Sequence, residues 1–159
     1  SVKTYASMGG KPAGLEFHGF GGAESPDLPD EPLEDAEKND LEPRTNKDVF
    51  KNKRAQYWWY LRERFFRTWQ AVEKQVYHDP TTLISINSQI KELPALKSEL
   101  VKVQRKRTAG SKLIQIVSKD EMRAKGIPSP NLADSLMKSF AVSPKSDFVF
   151  ERRPVQRRR

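Results

Sequence analysis

The stretch Ser118–Phe140, SKDEMRAKGIPSPNLADSLMKSF, predicts two short helices separated by a tight turn. Ser118 followed three residues later by Glu121 is the capping-box pattern that begins a helix, and Gly126 is typical of the position just after one. Ser129-Pro130 then supplies an N-cap and a first helical residue for the second helix.

The second helix has one acid beside an apolar stripe. Its apolar residues recur at three- and four-residue steps and predict the packing face: Leu132, Ala133, Leu136, Met137 and Phe140. Asp134 lies about 130° from the middle of that face, at about 100° per residue. We therefore expect its carboxylate to flank the packed face. The alternative is a solvent-facing residue paired with Lys138 one turn later.

A hairpin is predicted immediately before this stretch. Residues 101–107 (VKVQRKR) and 112–117 (KLIQIV) are strand candidates, and Thr108–Ser111 is typical of a hairpin turn. The apolar run in 112–117 favours an interior strand that is buried on both faces.

A long amphipathic helix is predicted earlier in the chain. Thr45 with Asp48 forms a second capping box, and His78-Asp79-Pro80 ends the helix because proline disfavours helical geometry in the preceding residue. Its apolar residues fall on one stripe: Phe50, Trp58, Leu61, Phe65, Trp69, Val72 and Val76. The spacing favours a core role for this stripe over the stacking of exposed bases.

A second, shorter helix is predicted at residues 81–93, ending at Pro94.

The charge of the chain is unevenly distributed. The net charge is +8, yet residues 24–42 contain nine acids and one Lys. The remainder has 28 basic and 12 acidic residues, a net charge of +16, which favours a polyanionic partner and nucleic acid first. Residues 24–44 also contain four prolines and little aliphatic material, which predicts a disordered or loosely held acidic loop.

Two groups of basic residues are candidates for contact with nucleic-acid phosphates. The first group surrounds the long helix: Lys51, Lys53, Arg54 and Arg62. The second group lies in a basic tail after Ser143: Arg152, Arg153, Arg157, Arg158 and Arg159. The alternative is that these residues only solvate helix faces.

The composition excludes several kinds of site. The chain has no Cys, and hence neither a disulfide framework nor a thiolate zinc site. Its two histidines, His18 and His78, lie sixty residues apart and form no ligand pair. No run of about 18 apolar residues occurs, so we expect no membrane-spanning helix and no membrane partner.

Four regions follow from these patterns. We expect an N-terminal strand with Gly-rich turns at 1–23, the acidic Pro-rich loop at 24–44, a helical and strand core at 45–143, and the basic tail at 144–159. The chain begins SVKTY, without Met, which we interpret as a cut into a longer protein.

Three segments together resemble the nuclease domain of phage terminase large subunits, the motor-nucleases that package and cut viral DNA. They are FKNKRAQYWWYLRERF (50–65), LIQIVSKDEM (113–122) and GIPSPNLADSLMKSF (126–140). The resemblance covers roughly residues 10–141 and implies a partial RNase H-like α/β fold, with a mixed sheet flanked by helices. It also implies an acidic cluster that holds two divalent ions, Mg²⁺ or Mn²⁺, and identifies Asp134 as the catalytic, metal-binding acid of the final helix.

The other acids that such a cluster needs are expected elsewhere. Residues 1–23 contain no Asp, and only Glu16 lies on a strand-like segment. Asn131 stands where relatives often have Asp. We therefore expect a C-terminal portion of the nuclease domain, joined in function to the rest of the large subunit. That remainder includes the ATPase domain, because the sequence has no Walker A motif.

The implied function is metal-dependent cleavage of concatemeric double-stranded DNA during packaging in the host cytoplasm, with portal and small terminase as further partners. Two alternatives remain open. One is a noncatalytic DNA-binding or assembly module that uses the same basic residues. The other is an inactive prophage remnant.

Overall fold

Helix α2, Lys53–Glu73, is the longest element of the described residues, and it contacts both the second strand and the last helix. The computed structural model describes residues 19–33, 43–106 and 109–141. Before α2 lies the short helix α1, Asn46–Val49, and after it a 3₁₀ turn, Pro80–Thr82. Then follow α3 (Leu93–Lys102), β1 (Arg105–Lys106), β2 (Gln115–Ile116), α4 (Lys119–Ala124) and α5 (Asn131–Ser139). Contacts group Phe20–Ala141 into one compact unit.

The predicted long helix is interrupted near its start. Thr45 is the N-cap of α1, as predicted, and its backbone N–H donates to Asp48 Oδ2 at 3.1 Å. The chain is extended at Phe50, because Lys51 N–H donates to Ile114 O at 2.9 Å and Ile114 N–H to Val49 O at 2.7 Å. Asn52 then caps α2 anew, accepting from Ala55 N–H at 3.0 Å. A strand contact therefore replaces helical hydrogen bonds at this point.

The apolar stripe of α2 is buried only in its first half. Trp58 and Leu61 are 6% and 1% exposed, and Phe65 packs partly buried against the same core. Trp69 and Val72 are exposed. The helix ends at Glu73, so Val76 lies beyond it and is also exposed.

The predicted helix at 81–93 is wrong. Beyond the 3₁₀ turn this segment is mostly irregular, because α2 binds its backbone: Arg64 Nη1 donates to Thr81 O at 2.6 Å, and Ile84 N–H donates to Thr68 Oγ1 at 2.9 Å. Pro94 lies in the first turn of α3, where its missing N–H costs nothing. Proline therefore begins a helix here, where we had expected it to end one.

The predicted hairpin exists but is shorter than expected. Strand β1 pairs antiparallel with β2, Arg105 opposite Ile116, and residues 101–102 belong to α3 and not to a strand. Ile114 forms a parallel bridge with Phe50. Among the described residues the sheet has two strands, with this single bridge beside it, and Gln115 and Ile116 of β2 are half-buried, so burial on both faces is only partly found. Ile114 and Val117 are buried.

The two helices of Ser118–Phe140 form nearly as predicted. Ser118 N–H donates to Glu121 Oε2 at 2.9 Å, and Glu121 N–H donates to Ser118 Oγ at 3.1 Å. Gly126 follows α4 with a φ of 69°, the left-handed geometry that favours glycine. Pro130 is the N-cap of α5, one position later than the predicted Ser129.

The acidic segment is held more firmly than its composition indicates. Within residues 24–33, Asp27 Oδ2 accepts from Tyr57 Oη at 2.6 Å, and Asp27 N–H donates to Gln56 Oε1 at 2.7 Å. These contacts fix the segment against the first turns of α2. Residues 34–42 of the predicted loop lie outside the described part of the chain, as do 1–18 and 142–159.

Two apolar clusters form the core of the described part of the chain. The larger joins α2, α3 and α5 through buried side chains: Tyr57, Trp58, Leu61, Ile84, Leu96, Ala133 and Met137. The smaller joins α1 and the first turn of α2 to the segment before β2: Val49, Phe50, Ala55 and Ile114. None of the helices in the described ranges is long and apolar enough to cross a membrane.

Candidate active site around Asp134

Asp134 belongs to the buried face of α5. Ala133 and Met137 are 0% and 1% exposed, and Asp134 between them is 5% exposed. Leu132, which we had placed on the packing face, is instead 36% exposed. The true buried face is therefore rotated toward Asp134, and the alternative of a solvent-facing carboxylate is wrong.

Two cations face the buried carboxylate. Lys119 Nζ lies 2.6 Å from Asp134 Oδ2, and Arg54 Nη2 lies 3.9 Å from Oδ1. Asp134 Oδ1 and Arg54 Nη2 are both buried and have no hydrogen-bond partner in the described part of the chain. One oxygen of Asp134 therefore pairs with Lys119, and the other has no hydrogen-bond partner in the described part of the chain.

Arg54 connects three elements. From α2, its Nη1 donates to Val117 O at 2.8 Å, just after β2, while Nη2 faces Asp134 on α5. Its side chain is 16% exposed, and this burial lowers the pKa of the guanidinium, against the opposing effect of Asp134. The predicted role of Arg54 was contact with DNA, yet its side chain points inward.

Lys53 is also engaged within the fold. Its Nζ lies 2.9 Å from Asp27 Oδ1 and 3.4 Å from Glu24 Oε2, and its side chain is 17% exposed. The hydrogen bond to Asp27 is the main cause that raises the pKa of Lys53. Lys53 therefore anchors the acidic segment to the start of α2.

The other predicted DNA contacts differ in accessibility. Lys51 is exposed. The side chain of Arg62 is 57% exposed, forms an ion pair with Glu63 and lies 4.8 Å above the ring of Trp59. The five arginines of the tail, Arg152, Arg153, Arg157, Arg158 and Arg159, lie outside the described residues. Lys51 and Arg62 are thus the accessible members of the first group.

The residues present fit one metal ligand and not a complete metal centre. Asp134 Oδ1 is a buried carboxylate oxygen without a hydrogen-bond partner, the kind of hard oxygen that Mg²⁺ and Mn²⁺ bind. Within residues 19–33, 43–106 and 109–141, however, no three acids or histidines lie close enough together to hold a metal ion. The described part of the chain therefore supplies Asp134 as a candidate ligand but no group of three that could complete a site.

Sequence reasoning missed the neighbours of Asp134. Lys119 was visible only as part of the capping sequence of α4, and Arg54 only as one of several cations around α2. Sequence spacing does not pair either residue with Asp134, because both contacts depend on how separate elements pack.

Residues 15–142 match the family described as the terminase RNAseH like domain. This match extends over most of the chain. The chain belongs to the terminase RNase H-like domain family. The predicted family and its RNase H-like α/β fold are therefore confirmed. No curated protein sequence matches the chain.

Solved structures of phage terminase nuclease domains are similar to this terminase chain. The nuclease domain of the large terminase subunit gp2 of bacterial virus Sf6 is 40% identical, with a TM-score of 0.65 over 74% of this chain and 49% of that one. A point mutant of the same Sf6 domain, solved with manganese and β-thujaplicinol, is 39% identical, with a TM-score of 0.67 over 75% and 50% of the two chains. A mutant Sf6 domain solved with calcium is 39% identical, with a TM-score of 0.65 over 74% and 49%. The chain spans about half the length of these relatives.

Proposed function

We propose that this chain is part of the nuclease of a phage terminase large subunit, which cuts concatemeric viral DNA by metal-dependent phosphodiester hydrolysis in the host cytoplasm. The observation that supports this best is Asp134, a buried carboxylate with one oxygen left without a hydrogen bond. Burying a carboxylate of this kind lowers the stability of the fold, which favours a functional reason for its presence.

Asp134 is the residue that would hold a divalent ion, Mg²⁺ or Mn²⁺. Such an ion, when bound, would supply activation of water and charge stabilisation for the leaving oxygen of a phosphodiester. The remaining acids belong, in this proposal, to the part of the domain that the chain does not cover. Lys119 and Arg54 balance the charge of Asp134, and Lys51 and Arg62 contact the phosphates of double-stranded DNA.

The partners follow from the same proposal. The rest of the large subunit, including its ATPase domain, completes the enzyme, and portal and small terminase are the further partners. The chain spans half of the Sf6 nuclease domain, which supports a dependence on additional sequence for activity.

The test is plasmid nicking with Mn²⁺ by a large subunit that contains this chain. Because loss of an outer-shell partner alone costs about 10- to 100-fold, we expect Asp134→Asn to reduce nicking by about 100-fold or more. The matched control is Asp120→Asn, since the side chain of Asp120 is 89% exposed and pairs with Arg123 one turn away. Nicking by Asp134→Asn at the rate of the unaltered protein would contradict the proposal.

A second candidate is a noncatalytic DNA-binding module. It is favoured because no group of three candidate ligands occurs within the described residues. DNA binding that weakens steeply with salt, together with nicking that no Asp134 substitution alters, would support this candidate instead.

A further inference from the structure

The helix that holds Asp134 has no capping side chain of its own. The N-cap of α5 is Pro130, and no side-chain hydrogen bond is formed from that position. The first N–H groups of a helix have no partner within it, and each one that is buried must find an acceptor elsewhere. Ala133, the third residue of α5, is 0% exposed. Its N–H therefore needs an acceptor from another part of the fold.

Glu99 supplies that acceptor from α3. Its Oε2 accepts from Ala133 N–H at 2.9 Å, across 34 positions of sequence. Ala133 immediately precedes Asp134, so the bond fixes the backbone next to the candidate ligand. A carboxylate is also the group that the positive end of a helix favours electrostatically.

Packing holds Glu99 at the right distance. Leu96, one turn before Glu99, is buried in the same cluster as Ala133 and Met137, and Leu100 packs against that cluster. The apolar contacts set the separation between α3 and α5. The hydrogen bond to Glu99 then sets the rotation of α5 about its own axis and its shift relative to α3. In that position Asp134 lies beside Lys119 and Arg54.

We propose that Glu99 is a positioning residue: it caps α5 from outside and so sets the place of the Asp134 carboxylate in the site. The ligand role of Asp134 within this inference rests on the proposed nuclease function. The hydrogen bond between Ala133 N–H and Glu99 is independent of that function.

The test uses the full chain and two NMR measurements. The first is hydrogen exchange of the Ala133 amide, which reports on the cap. The second is the Mn²⁺ concentration that half-broadens the amide signals of residues 133–135, which reports on metal held at Asp134. Broadening by a paramagnetic ion detects even the weak binding expected of one carboxylate.

We expect Glu99→Ala to accelerate exchange of the Ala133 amide by about 10-fold or more, because a buried donor loses a charged acceptor. We expect the half-broadening Mn²⁺ concentration to rise about 10-fold, as for other residues that orient a ligand. Glu99→Gln keeps an acceptor oxygen at the same reach and should restore both values to within about threefold. Glu73→Ala, which removes an exposed glutamate at the end of α2, is the control and should change neither.

Each result decides one step. Unchanged exchange of the Ala133 amide in Glu99→Ala overturns the cap, and faster exchange with an unchanged Mn²⁺ concentration overturns the positioning role. If Glu99→Ala does not fold, Glu99→Asp makes the same test, because its shorter side chain withdraws the acceptor. Absence of broadening near Asp134 in the unaltered chain overturns the proposed metal ligand, while exchange still decides the cap.

Discussion

Removing a buried guanidinium from beside a carboxylate lowers the stability of a folded protein. Arg54 donates to Val117 O at 2.8 Å and lies 3.9 Å from Asp134, so its removal leaves a buried carbonyl and a buried charge with fewer partners. At the scale of single residues, the site therefore depends on Arg54 for structure.

We expect Arg54→Ala to lower the free energy of unfolding by about 2–3 kcal/mol, measured by urea denaturation. The matched control is Arg62→Ala, where the side chain is 57% exposed and the expected change is within about 0.5 kcal/mol. Equal, small effects of both substitutions would show that Arg54 is a surface cation after all.

At the scale of elements, helix α4 depends on its capping box and on one link to the hairpin. Glu121 accepts from Ser118 N–H at 2.9 Å and also pairs with Lys106 of β1. These bonds, with Lys106 first, lower the pKa of Glu121 from 4.5 to about 2. The folded protein therefore holds this carboxylate ionised at pH values where the unfolded chain binds a proton.

This difference predicts a loss of stability in acid. Because the folded pKa lies below the unfolded one, the contribution of Glu121 is complete above pH 4.5 and declines as the pH falls toward about 2. We expect Glu121→Gln to lower the urea midpoint at pH 7 and to differ little from the unaltered chain at pH 2. Asp120→Asn, at an exposed neighbour, should follow the unaltered chain at every pH. A constant difference between Glu121→Gln and the unaltered chain across this range would contradict the assignment.

At the scale of the whole molecule, the distribution of charge decides which cations can reach DNA. The acidic segment neutralises Lys53 through Asp27 and Glu24, and Asp134 faces Arg54. Lys51 and Arg62 remain accessible at the surface. The net charge of +8 therefore does not show how many cations near α2 are accessible to DNA.

We expect Lys51→Ala and Arg62→Ala each to weaken DNA binding about equally for all sequences and to reduce the salt slope by about one. Lys47→Ala is the control, since Lys47 lies on α1 and pairs with Asp30 of the acidic segment, whose negative charge disfavours contact with phosphates. Fluorescence anisotropy over a salt series measures both quantities. A slope that stays unchanged in both variants would exclude these two residues from the interface.

Sequence alone determined the features that depend on neighbouring residues. Thr45 and Ser118 cap their helices and Gly126 follows α4, because each acts within one turn of chain. The spacing of Trp58 and Leu61 placed them in the core for the same reason.

Tertiary structure decided everything that depends on distant partners. The contact of Phe50 with Ile114 interrupts the long helix, and the hydrogen bonds that α2 side chains make to the 81–84 backbone compete with a helix there. Asp134 was identified in sequence, but its surroundings were not. Lys119, Arg54 and Glu99 meet at α5 only once three separate elements have packed, and no local spacing encodes that meeting.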